Sequence, residues 1–282
     1  MSASAFDSYL DQWRDAHPEC AVAWLFLRAD ERACFGALAA LEREWLKAVR
    51  EVREPQVAIV KLGWWREEME HAARGETRHP LTGALFADAR AKRVPEGYWT
   101  APVDAAVAWL DAAPAADFAA QCAARAPFAH AVAALETRVW FDAGADSPRA
   151  AEVTLLAHLA GAARGLDAEV EHARSPLPMN LLARHALSID ALGRDSAARR
   201  AAYRDYLATL ERRLAGAATL AGPLTLFRLA GGQRDLDSLR RAQRADDPVA
   251  ALRAPVHRVG NVLKTWRAAR IWRGMAQSES SS

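Results

Sequence analysis

Apolar residues recur at three- and four-residue spacings along almost the whole chain, the pattern of helices that each bury one face. From Ala29 to Val52, the residues Ala33, Ala37, Leu38, Leu41, Trp45 and Val49 fall on one broad stripe, with Glu31, Arg32, Arg43, Lys47 and Arg50 mostly elsewhere. From Gln56 to Arg74, Ile59, Leu62, Trp65 and Met69 repeat the pattern. Period-two runs rich in Val, Ile and Thr are missing, so a sheet has little to be built from. Pro55, Gly75 to Pro80, Pro95 to Gly97, Pro114, Gly144 to Pro148, Pro176 to Pro178, Gly222-Pro223, Gly231-Gly232, Pro248 and Pro255 punctuate the chain. Proline cannot continue a helix and glycine loosens one, so this spacing predicts helices of roughly 12–25 residues. No fixed-period repeat and no long linker interrupt them. The expectation is one all-α domain over residues 1–275, with a frayed tail at 276–282.

Composition sharpens this picture in two ways. Of 282 residues, 51% are hydrophobic and 26% charged, enough apolar material for a sizeable core. Ten tryptophans are many for this length, and most are expected between long helices. The three cysteines, Cys20, Cys34 and Cys122, form no CxxC pair, which excludes a thiolate zinc site and a disulfide scaffold. Residues 1–7 lack a basic stretch followed by an apolar one, and the run Ala21 to Leu27 is too short to cross a bilayer, so a cytoplasmic location is expected.

The formal net charge of +2 conceals opposed halves. Residues 1–195 carry 21 basic and 28 acidic side chains, a net of −7; residues 196–282 carry 16 and 7, a net of +9. Much of the positive excess lies in 256–273, where Val256, Val259, Leu263, Trp266 and Ala269 trace one helical face and Arg258, Lys264, Arg267 and Arg273 the others. Such a basic amphipathic helix suits either a last helix docked on the bundle with its arginines in water or an anionic membrane surface, so a position peripheral to the inner face of a membrane is one of two expectations. No nucleic-acid-binding motif accompanies the charge, and none is expected to be a partner.

GxSxG, GxxxxGK[ST], HExxH and GxGxxG are all missing. One segment is more specific: Lys61-Leu-Gly-Trp-Trp-Arg-Glu-Glu-Met69, then Gly75, then His79-Pro80-Leu-Thr-Gly-Ala-Leu85. Phe26-Leu27, Arg32, Ala37-Leu38 and Arg43-Glu44 precede it, and Leu177-Pro-Met-Asn-Leu-Leu-Ala-Arg-His-Ala-Leu-Ser188 follows. In order and spacing these three blocks resemble the squalene/phytoene synthase family. The resemblance implies an all-α isoprenoid-synthase bundle around a central cavity. It also implies prenyltransferase chemistry, in which two prenyl diphosphates condense head to head with the help of a magnesium cluster held by two Asp-x-x-x-Asp motifs. Four-residue spacing puts both carboxylates of each motif on one helical face.

Carried over residue by residue, the first motif's aspartate positions fall on Leu46, Lys47 and Arg50, none of them acidic. The second motif's fall on Gly165 and Glu169, with His158, Gly161 and Arg164 at the preceding positions. A two-residue shift would offer Asp167 and Glu171, four apart, as a weak metal pair. Glu51, four residues from Lys47, is expected to pair with it. Lys47, Arg50 and Arg164 are candidates for gripping a diphosphate directly.

The reading that follows is a degenerate squalene/phytoene-synthase-like protein, a pseudoenzyme that binds an isoprenoid or lipid or serves as an assembly factor, as in the family's branch involved in respiratory complex I assembly. No cofactor is expected on this reading. The alternative is an active Mg²⁺-dependent prenyltransferase using the displaced acidic set Asp167, Glu169 and Glu171. Trp45, beside the altered positions, is a candidate plug for the cavity.

Overall fold

A computed structural model describes residues 5–141, 147–255, 263, 265–267 and 269–270. Helices account for roughly three-quarters of the described chain, and no strand occurs among these residues. The chain begins with α1 (Ala5–Ala16) and α2 (Ala21–Leu25), then runs through α3 (Ala29–Arg50) and α4 (Pro55–Ala73). Two short helices, α5 (Pro80–Phe86) and α6 (Ala89–Arg93), lead to α7 (Glu96–Leu110), α8 (Phe118–Phe141) and α9 (Pro148–Arg164). Short turns α10 (Leu166–Glu171), α11 (Met179–Arg184) and α12 (Ile189–Leu192) precede α13 (Ala197–Gly216), α14 (Leu226–Arg244) and α15 (Pro248–Arg253).

Helix α3 is the axis of the bundle. Arg28 donates its backbone N–H to Glu31 at 2.7 Å, so the glutamate at the third helical position closes the entry turn as a capping box. The expected apolar stripe is buried except for half-buried Ala33, and so are Glu42 and Glu44 on neighbouring positions. The helix therefore has no broad water-facing side. Its polar residues meet other side chains instead, and that is where the functional site forms.

The Trp-Trp-Arg-x-Glu segment has an architectural role. Trp65 packs edge-on to His79, with ring centroids 4.8 Å apart. Buried Glu68 accepts from the backbone N–H groups of Arg78 and His79, both at 3.0 Å, and from the Thr82 hydroxyl. These are orphan donors at the entry to α5, and a carboxylate there also opposes the positive end of the helix dipole. His79 Nδ1 accepts from Leu81 N at 3.2 Å, and Pro80 supplies the fixed φ that suits a first helical position.

One expected break differs from the sequence reading. Gly231 and Gly232, expected to break the chain, lie inside α14, where their lack of side chains leaves room at a cavity wall. Gly36 is needed for contact: a Cβ there would come within 2.7 Å of Leu10 Cδ1 and 2.9 Å of Trp24. We expect Gly36→Ala to cost about 1–3 kcal/mol by forcing α1 and α2 off α3. Urea denaturation checks it; an unchanged midpoint would show that these contacts yield freely.

The basic segment 256–273 lies largely outside the described residues. Within it, Ala269 is buried against the core, whereas Leu263 and Trp266 are exposed and Arg270 stacks over Trp266 at 4.9 Å. Among the described residues no helix is long and apolar enough to cross a membrane. All three cysteines are free and buried, and burial pushes the Cys34 thiol up to about 12.

Candidate functional site

A cavity of about 370 Å³ opens between α3, α9, α10 and α14, with α1 and residues 17–20 at one side. Trp13, Leu46, Val153, Ala157 and Phe227 supply apolar wall, and Gly161, Gly165, Gly231 and Gly232 leave the space. Trp45 does not plug it; its ring is fully buried in the core and is not part of this wall.

All the motif-equivalent residues except Asp167 and Glu171 face this cavity: Leu46, Lys47, Arg50, Arg164, Gly165 and Glu169. Arg50, near the end of α3, donates Nε to Glu169 Oε1 at 2.9 Å, and Nη2 lies 2.8 Å from the same oxygen. Its Nη2 also reaches the Gly161 carbonyl at 3.4 Å. A Cβ on Gly165 would stand 3.2 Å from Arg50 Nη2, and one on Gly161 would stand 3.6 Å from Nη1. The guanidinium thus fills the space between the two motif helices, over residues that have no side chain to oppose it. An ion pair bridges the two positions where the resemblance would put carboxylates on a shared metal.

Lys47 pairs with Glu44 at 2.9 Å rather than with Glu51, because the i−3 carboxylate is buried beside it. Arg164 is bonded to Asp235 on α14. Asp167 turns away to Arg253 at 2.8 Å with most of its side chain in water, and Glu171 is exposed. Four-residue spacing does not bring that pair to the cavity, since α10 is a single short turn whose buried side carries Glu169. Among the described residues no group of three or more His, Cys, Asp or Glu side chains is placed to hold a metal ion. A magnesium cluster does not fit this donor set: where its ligands would stand there are an arginine, a lysine, a leucine, a glycine and one carboxylate, Glu169, already paired with Arg50 and Arg174.

Deeper in the cavity lies a charge network absent from the sequence reading. Arg228 on α14 contacts Glu42 of α3 at 2.6 Å and Glu136 of α8 at 2.9 Å. His158 Nε2 on α9 completes it, 2.6 Å from Glu42. Burial holds the His158 imidazole below its usual range, although Glu42 opposes the shift. Burial would raise Glu42, but Arg228 and the His158 hydrogen bond together pull it well below the usual carboxylate range. Glu136 shares only Arg228, so burial prevails and lifts it to about 7.

The cations around the cavity are all engaged. Arg43, Lys47, Arg50, Arg164, Arg228 and Arg234 each lie beside a carboxylate, the loosest being Arg43 at 3.6 Å from Glu44. A group already paired in a partly buried setting must break that pair to bind an incoming phosphate, so these side chains offer little free positive potential.

Known proteins match this architecture. A model of the squalene/phytoene synthase family matches residues 13–258. The fold is similar to a dehydrosqualene synthase solved in complex with ligand, with a TM-score of 0.70 and 10% identity over 97% of this chain and 96% of that one. It is also similar to the squalene synthase HpnC from Alicyclobacillus acidocaldarius, with a TM-score of 0.60 and 16% identity over 84% of this chain and 94% of that one. At such identities these likenesses carry the fold alone: an all-α isoprenoid-synthase-like bundle. A search of curated protein sequences gave no match. With the family model spanning most of its length, the chain belongs to the squalene/phytoene synthase family.

Proposed function

We propose that this protein is a non-catalytic member of its family whose cavity holds a single isoprenoid or lipid chain without ionising a diphosphate. The Arg50–Glu169 pair carries this reading, because it puts a guanidinium in the space that metal-bound carboxylates would need. Adding a divalent cation there would oppose a positive charge at short range, at roughly 4 kcal/mol per pair of unit charges 4 Å apart in an effective dielectric near 20.

Cavity size supports the same reading. At about 370 Å³ it has room for one isoprenoid chain, part of which would leave by the open side. Pockets of this size lie at the small end of those that take one compact ligand.

The test pairs a reaction with a binding measurement. Incubated with farnesyl or geranylgeranyl diphosphate, Mg²⁺ and NADPH, the purified protein is expected to release no diphosphate and form no hydrocarbon above a boiled control. Farnesol is expected to quench tryptophan emission saturably and independently of Mg²⁺, through Trp13 at the wall. Mg²⁺-dependent formation of squalene, phytoene or a cyclopropyl product would overturn the proposal.

A further inference from the structure

A second, smaller cavity of about 180 Å³ lies behind the Arg50–Glu169 pair. It is enclosed by the end of α3, the 110–115 connection, α8 and the 173–179 segment, and Glu169 forms part of the wall of both cavities. Apart from Glu169, the charged groups lining it are Arg125 and Arg174.

These two arginines differ in what they already hold. Arg174 donates to the carbonyls of Val49, at 2.9 Å, and Arg50, so it caps the C-terminus of α3, and its Nε lies 3.3 Å from Glu169. Arg125 has no carboxylate or carbonyl partner among the described residues. Its guanidinium stacks over Trp109, 4.7 Å from the ring centre. The residue as a whole is half-buried, yet its Nη1 is out of reach of water and makes no hydrogen bond. Burial lowers its pKa, and nearby Arg50 and Arg174 push the same way against Tyr206 and Glu169.

The other polar groups offer no relief. Gln121 spends its amide N–H on the Pro176 carbonyl at 2.7 Å and its oxygen on the Tyr206 hydroxyl at 2.9 Å. Ser175 donates to the Leu177 carbonyl at 2.8 Å. Arg50 and Arg174 both pair with Glu169, and Arg125 lines the same cavity as that carboxylate without a partner of its own. A half-buried cation with an N–H cut off from water and no partner is costly unless something compensates it. An oxoanion in the cavity would do so.

We propose that this side cavity binds an oxoanion of phosphate size, with Arg125 as its principal ligand. At about 180 Å³ the cavity has room for a phosphate group with a short substituent. Trp109, Leu110 and Met179 at the wall leave a short apolar substituent tolerable. The shared chemistry is a phosphate dianion, either free or ending a short prenyl chain.

Isothermal titration of the full chain with inorganic phosphate and with dimethylallyl monophosphate, each against chloride at equal ionic strength, separates the two sources. Wild type is expected to bind at least one of them saturably. Arg125→Met keeps the stem over Trp109, removes an unpaired charge and should fold at least as well, but bind at least tenfold more weakly. Lys47→Met, on the other cavity, should bind as wild type does. Preferential binding of the prenyl phosphate would assign the site to a lipid-borne group, and equal binding to the free ion. No saturable binding by wild type, equal binding by Arg125→Met, or loss confined to Lys47→Met would each overturn the proposal.

Discussion

Replacing Arg228 with methionine is expected to destabilise the protein by about 3–5 kcal/mol, the range found when one partner of a buried ion pair is removed. For a chain of this size that is a fall in Tm of roughly 10 °C. Methionine fills similar volume, so the loss comes from charge rather than from a cavity. Glu42 keeps His158, but Glu136 loses its charged partner inside the bundle. The deficit should depend on pH in a definite direction. With Arg228 gone, both folded-state carboxyl pKa values rise, and stability from a raised carboxyl is present below the unfolded value near 4.5 and lost as pH climbs through the folded one. The variant should therefore come nearest to wild type at the acid end of the range, where Glu42 too is protonated, and fall furthest behind near pH 8. In wild type, Glu136 at about 7 works the same way, taking stability away between about 4.5 and 7. Adding Glu136→Gln to Arg228→Met should restore more than half of the loss. Thermal melts across pH check all of this; a deficit that is flat with pH would mean the network is held by packing rather than by charge.

The sequence announced this bundle more clearly than its site. Helix α3 was readable to within two residues at its end, because Ala37, Leu38, Leu41, Trp45 and Val49 keep helical spacing. What periodicity does not show is that the helix is central, since the pattern assumes a side turned to water. Glu42 stands four residues after Leu38 and three before Trp45, on the apolar stripe itself, and Glu136 holds the matching place between Val132 and Val139 on α8. A carboxylate on an apolar stripe signals a buried partner. The partner's identity was out of reach, because Arg228 lies 186 residues from Glu42 and only the folded bundle brings them together. Asp167 illustrates the converse. Its spacing from Glu171 was right for a shared metal, but a one-turn helix shows a single side to the core, and that side carries Glu169.

The Arg50–Glu169 pair can be tested by undoing it. In the double variant Arg50→Asp/Gly165→Asp, the arginine that would crowd a side chain at 165 is gone, and three carboxylates face one another across α3, α9 and α10. Without divalent cations, like charges roughly 4 Å apart repel by about 4 kcal/mol at an effective dielectric near 20, an effect that Arg174 beside Glu169 only partly offsets. The variant should thus melt well below wild type in EDTA. Hard cations prefer a cluster of carboxylate oxygens, so Mg²⁺ or Mn²⁺ should return about 2.7 kcal/mol when present at a hundred times Kd, whereas wild type should melt at the same temperature with and without them. The single change Gly165→Asp should gain no such response, because Arg50 remains to neutralise the new carboxylate. If the double variant ignores the metal, the space between these helices does not have the geometry of a cation site, and the absence of metal ligands would then lie in the backbone as well as in the side chains. If wild type itself gains stability from Mg²⁺, the guanidinium does not exclude the ion, and the case for a non-catalytic protein fails with it.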